Sequence, residues 1–208
     1  MLAKDISDIL AVMPKLSWRK PVKIGKEQLL AKAKAMAWRG FSHNAKTLEV
    51  LEAYLQGYGV LLSGGVGVGK SYFFECVEPE PLPVLSFNSC ALWKYDAISE
   101  WLADHRNCDI VLDDVGWDAE RGNNYGTKFE VLQIVLDERL RQNGRTHITT
   151  NLTNDELIAR YDAHLIDRIY QLCKCFALPS QESRRDARPN WTYIKNQQYA
   201  REMGKEVL

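Results

Sequence analysis

Residues 64–71 read Gly-Gly-Val-Gly-Val-Gly-Lys-Ser and follow directly on the run Gly59-Val60-Leu61-Leu62-Ser63. A short apolar run of this kind is a buried strand, and the glycines after it let the main chain turn tightly enough for its N–H groups to converge on an anion. A helix beginning near Lys70 would bring the positive end of its dipole to the same point. Strand, glycine loop and helix in that order give G-x-x-x-x-G-K-S its meaning as a phosphate-binding loop. Gly64, Gly65, Val66, Gly67, Val68 and Gly69 are the expected cradle for the phosphates of ATP, and Tyr72 is counted with them in the nucleotide-binding stretch. Lys70 is expected to reach the β- and γ-phosphates, and Ser71 to offer its hydroxyl to Mg²⁺.

From this point the chain alternates between strand and helix patterns. Val84–Phe87 reads as a second strand, and a helix over roughly 90–103 follows it. A third strand, Asp109–Leu112, ends in Asp113-Asp114. Gly116–Gly126 reads as a loop, 127–142 as an amphipathic helix with Phe129, Leu132, Val135, Leu136 and Leu140 on its apolar side, and Arg145–Thr150 as a fourth strand ending at Asn151. Helices around 154–161 and 163–171, the first capped by Thr153 with Glu156, lead to a fifth strand at 174–178. Such alternation predicts an α/β three-layer sandwich with a parallel sheet, whose ligands sit beyond the carboxyl ends of the strands. The glycine loop, the aspartates and Asn151 all fall at that end. Asp113 is the expected Mg²⁺ ligand alongside Ser71, and Asp114 is placed to orient or deprotonate an attacking water. Asn151 can hydrogen-bond a γ-phosphate or that water; the plainer reading is part of the approach to the next helix.

Three helical patterns precede the glycine loop: a short apolar stripe of Ile6, Ile9, Leu10 and Met13 stopped by Pro14, then 26–39 and 45–56, which end at Gly40 and Gly57. The formal net charge is zero, yet residues 1–46 carry a net +7 and the remainder −7. A basic arm of that kind suits a polyanionic or acidic partner, or is a solvated helix face. No run of about 18 apolar residues occurs, so no membrane span is expected. The start, Met1-Leu2-Ala3-Lys4-Asp5, lacks the basic-then-apolar pattern of a signal peptide. The five cysteines lack metal-site spacing and read as buried, reduced thiols of a cytoplasmic protein.

Taken together, GVLLSGGVGVGKS at 59–71, IVLDDVG at 110–116, VLDERLRQNGRTHITTNLT at 135–153, RYDAHLIDRI at 160–169 and SRR at 183–185 resemble the AAA+ ATPases, and more narrowly their DnaC/IstB group of helicase loaders and transposition ATPases. The resemblance spans about residues 45–185. It implies a P-loop fold of AAA+ type with a five-stranded parallel sheet, and a lid that is absent or rudimentary. It implies three parts: a basic helical N-terminal extension over 1–44, an ATPase core over 45–185, and a helical tail over 186–208. It also assigns arginines. Arg168 matches the residue offered to a neighbouring subunit's γ-phosphate, which implies self-association; the plain alternative is an ion pair with Asp137, Glu138 or another acid. Arg185 matches the later nucleotide-contacting arginine, while Arg139 receives no clear role. His164 stands where the group often has arginine, and Asp114 where many AAA+ proteins have Glu.

By the same resemblance, residues 1–40 are a candidate grip on a replicative helicase, with Trp18 and Trp38 as possible anchors. Single-stranded DNA is the expected nucleic-acid partner, the basic arm and Arg184, Arg185, Arg188, Lys195 and Arg201 supplying phosphate contacts. The competing readings are an IstB-like transposition or DNA-targeting ATPase and a nucleotide-gated switch that hydrolyses little. A small-substrate kinase would need lid arginines soon after the glycine loop, and the stretch 76–105 has none.

Overall fold

The computed structural model of the chain describes residues 22–87, 95–116, 121–124, 127–142 and 144–179, and of 121–124 and 127–130 the backbone alone. Trp18, Cys90, Arg184, Arg185, Arg188, Lys195, Arg201 and the expected tail lie outside these residues. In chain order the elements are α1 (Lys26–Trp38), α2 (Ala45–Leu55), β1 (Gly59–Ser63), α3 (Lys70–Val77), β2 (Val84–Ser86) and α4 (Tyr95–Asp104). Then come β3 (Ile110–Val115), β4 (Arg121–Asn124), β5 (Thr127–Glu130), α5 (Val131–Arg141), β6 (Thr146–Thr150), α6 (Asn154–Arg160), α7 (Ala163–Leu172) and β7 (Cys173–Ala177).

Five strands form one parallel sheet in the order β2-β3-β6-β1-β7. Alternation along the strands makes the two cores. Leu61, Ile110, Leu112 and Ile148 face one side, where Ile98, Leu102, Leu132, Val135, Leu136 and Ile169 from α4, α5 and α7 cover them. Val60, Leu62 and Val111 face the other, against Met36, Val50, Leu51, Tyr54, Phe73 and Val77 from α1, α2 and α3. The result is the expected three-layer α/β sandwich. The capping box of Thr153 and Glu156 closes the start of α6 as its sequence predicts. No helix among the described residues is long and apolar enough to cross a membrane.

The structure differs from the sequence expectation in several places. Where a loop and the first turn of a helix are expected, β4 and β5 pair as an antiparallel hairpin, from Arg121↔Glu130 to Asn124↔Thr127. Thr127 and Phe129 suit an extended ladder, so α5 starts only at Val131. The thiols are not all buried: Cys76 and Cys173 are, but Cys108, in the turn after α4, and Cys175, on the edge strand β7, are exposed. Within residues 22–44, placed in the N-terminal extension by the sequence, α1 lies against α2 and α3. Ala33, Met36 and Phe41 are buried in the layer formed by α2 and α3.

Arg139, on the buried side of α5, is fully enclosed. Burial lowers its pKa, and an unpaired guanidinium there would cost several kcal/mol. All five of its N–H groups are used. They donate to Thr146 Oγ1 at 3.0 Å, His105 O at 3.1 Å, Gln142 Oε1 at 2.6 Å, Cys108 O at 2.8 Å and Arg145 O at 3.0 Å. Arg139 therefore ties the end of α5 to the approaches of β3 and β6, a structural role that spacing alone could not reveal.

His147 is another enclosed polar group. The Val60 N–H donates to its Nδ1 at 3.2 Å, so Nε2 carries the proton, and no partner for it is found among the described residues. Burial, then repulsion from Arg145, pushes its pKa down to about 3; Asp109 opposes the shift and Arg139 adds to it. The folded imidazole stays neutral while the unfolded one takes a proton near the usual value of about 6.5. Its contribution is thus complete above pH ~6.5 and is lost as pH falls toward ~3. Denaturant titrations between pH 8 and 5 should show stability dropping below pH 6.5 by at most about 1.4 kcal/mol per unit. His147→Asn should lower stability at pH 8 yet flatten that slope; an unchanged slope would mean another group carries it.

Candidate nucleotide site

The loop leaving β1 takes its shape from three glycines in the left-handed region or close to it: Gly64 at φ +149°, Gly67 at +85° and Gly69 at +99°. Other residues resist that conformation, which is the reason for their spacing. Val68, 5% exposed, plugs the loop into the core below, while Val66 points out at 58%. The loop delivers the chain to Lys70, the first residue of α3.

Lys70 is only 6% exposed. Its Nζ donates to Gly64 O at 2.8 Å, Gly65 O at 3.0 Å and Asn151 Oδ1 at 2.7 Å. One turn-start further, Ser71 Oγ donates to Asp113 Oδ1 at 2.7 Å. Asn151 Nδ2 faces Asp114 Oδ1 at 3.5 Å, the outer limit of a hydrogen bond. Residues from the start of α3, the end of β3 and the exit of β6 are thereby gathered at one place, and they are Lys70, Ser71, Asp113, Asp114 and Asn151.

Asp113 and Asp114 do not sit in a regular strand. Leu112 pairs with Ile148 and Val115 with Thr150, so two residues of β3 stand against Thr149 alone. Asp114 takes φ +58°, the one positive φ outside glycine among the described residues. This bulge was not legible in the sequence, because Asp-Asp at a strand end carries no sign of it. Thr149, which bonds to both acids, went unassigned for the same reason.

The other expected residues lie further off or in other company. The Tyr72 hydroxyl donates to Arg39 O at 2.5 Å and its ring packs against Phe41, so this side chain serves the joint between α1 and α3. Arg168, on α7, pairs with Asp137 of α5 at 2.7 Å, and its side chain is 17% exposed. That pair is the plain alternative read from the sequence. Arg185 falls outside the described residues.

The donor set suits magnesium nucleotide. Ser71 hydroxyl and Asp113 carboxylate are hard oxygens close enough to share one small cation, and such ions favour oxygen with few protein ligands. Lys70 already seeks oxygen acceptors, which phosphate supplies. The chain is an α/β fold in which a five-stranded parallel sheet carries a glycine loop of P-loop pattern between β1 and α3.

Comparisons with solved structures find likenesses of fold. A candidate primosome component from Streptococcus pyogenes serotype M3 is 21% identical with a TM-score of 0.45, over 81% of this chain and 91% of that one. DnaI is 20% identical with a TM-score of 0.46, over 84% and 95%, and the DnaC helicase loader is 17% identical at 0.41, over 79% and 96%. No family model matches the chain, and no curated protein matches it.

Lys70→Ala removes the charge that the loop encloses and leaves the glycine backbone in place. Calorimetry with ATP and MgCl₂ should then register no binding at nucleotide concentrations that saturate the unaltered chain. Retained affinity within about threefold would contradict a phosphate-binding role for this ammonium.

Proposed function

We propose that the chain binds ATP with Mg²⁺ and hydrolyses it slowly, in a manner that depends on assembly, as a helicase-loader-like factor in DNA replication. The observation that carries this reading is the meeting of Lys70, Ser71, Asp113, Asp114 and Asn151 at the carboxyl end of the sheet. Main-chain amides of 64–69 would hold the phosphates, Lys70 the β- and γ-oxygens, and Ser71 with Asp113 the metal. Bound Mg²⁺ neutralises charge that develops on the transferred phosphoryl group. Asp114 takes or orients the proton of a water that attacks the γ-phosphorus. The bond from that phosphorus to the β–γ bridging oxygen breaks, and ADP leaves. Asn151 fixes the water or the γ-phosphate. Arg185 would contact the nucleotide from beyond the described residues.

Arg168 is the proposed contribution of a neighbouring subunit, since a guanidinium in trans stabilises the transition-state charge. Its pairing with Asp137 in the same chain also favours a second reading, a nucleotide-gated switch that hydrolyses little unless the pair opens. Partner docking finds support on α1, where Trp38 is 92% exposed and Leu30 46%. Exposed tryptophan of this degree is uncommon in a residue type that dominates binding energies at interfaces. Contact with single-stranded DNA rests on the basic arm and tail, and the transposition-type ATPase remains the alternative if duplex DNA is preferred.

Two variants separate the readings. Asp114→Asn should keep ATP affinity and lower turnover by about 100-fold or more; unchanged turnover would remove its role toward water. Arg168→Ala should leave ATP binding intact and lower assembly-stimulated hydrolysis by at least about 100-fold. Mixing it with the Asp114→Asn chain, which keeps Arg168, should restore part of the activity. Absence of any restoration would rule out action in trans. DNA affinity, measured from 50 to 200 mM salt, should fall steeply if phosphates are contacted. Affinity independent of salt would exclude that mode.

A further inference from the structure

The bulge in β3 needs a partner that can hold two acids at once, and Thr149 is the residue opposite it. Its Oγ1 donates to Asp113 Oδ1 at 2.5 Å and accepts the Asp114 N–H at 2.9 Å. A hydroxyl has one proton to give and lone pairs to receive, so a single oxygen serves both bonds. Thr149 is fully buried in the middle of the site's floor, and a β-branched residue in a strand is stiff at χ1. The oxygen is therefore held where it is needed.

Each bond has a distinct effect. On Asp113, the bonds from Thr149 and Ser71 fall on the same carboxylate oxygen, which sets the orientation of the whole group. On Asp114, the bond holds the peptide N–H of a residue at φ +58°, a conformation that an Asp adopts at a cost of roughly 1–2 kcal/mol. Without the bulge, two consecutive strand residues would point to opposite faces. With it, Asp113 reaches Ser71 of α3 while Asp114 turns toward Asn151.

We propose that Thr149 is a positioning residue that sets both acids of the site, acting through Asp113 on the metal and through the Asp114 backbone on the water. The inference rests on the reading of Asp113 as a magnesium ligand. Its effect would be that of an outer partner of a metal ligand, whose loss costs ~10–100-fold in metal affinity or activity.

The test compares Thr149→Val, which keeps shape and removes the hydroxyl, with Thr149→Ser, which keeps the hydroxyl. Calorimetric ATP binding is titrated with MgCl₂, and turnover is measured alongside. Thr149→Val should raise the magnesium concentration for half-maximal effect about tenfold and lower kcat at saturating magnesium, with ATP affinity in EDTA unchanged. Thr149→Ser should return both values to within about threefold of the unaltered chain. If Thr149→Val does not fold, Thr149→Cys, of similar volume with a much weaker donor, is read in the same way. A normal magnesium requirement in the hydroxyl-free variant, or a serine variant as defective as the valine one, overturns the proposal. Asp113→Asn is the control. If it shifts the magnesium requirement and Thr149→Val does not, only the role of Thr149 fails; if Asp113→Asn shifts nothing, the metal reading itself fails.

Discussion

An ammonium group withdrawn from water must be surrounded by oxygen, because an isolated buried charge is far too costly to keep. Lys70 meets that demand with two carbonyls of its own loop and the amide oxygen of Asn151. The first two can exist only if the chain folds back over the start of α3, which glycine permits. The third can exist only if β6 lies beside β1, ending level with the loop. The order of the sheet and the shape of the loop thus answer to the same electrostatic requirement.

Around that charge the two acids are organised by departure from regularity. A perfect strand would have spent one carboxylate on the far face of the sheet. Bulges are known for re-aiming side chains near functional sites, and here the extra residue stands against a buried threonine that can bond both ways. The irregular backbone is stabilised by the same hydroxyl that orients the side chain.

Much of this architecture is written in short-range patterns. The β1 run, the apolar approach to Asp113 and the alternation of strands with helices predict the sheet and place Lys70, Ser71, Asp113 and Asn151 at one end. What the sequence leaves hidden depends on long-range partners. Arg139 looks like any helix arginine until five acceptors from three segments are found around it. Arg168 carries the same motif whether it faces a neighbour or Asp137. The β4–β5 hairpin lay beneath a glycine- and asparagine-rich stretch whose local preferences say turn without saying between what. The docking of α1 is equally non-local, since its Ala- and Lys-rich sequence gives helix propensity but little amphipathic signal.

Arg39, just past the end of α1, donates to the carbonyls of Cys76, Glu78 and Pro79, where α3 finishes. At its other end α3 begins with the lysine of the glycine loop. Eight helical residues make a strut about 12 Å long, its apolar side buried in the core shared with α1 and α2. One short helix is thus clasped at its far end by an arginine from beside the protruding Trp38, while its near end opens on Lys70.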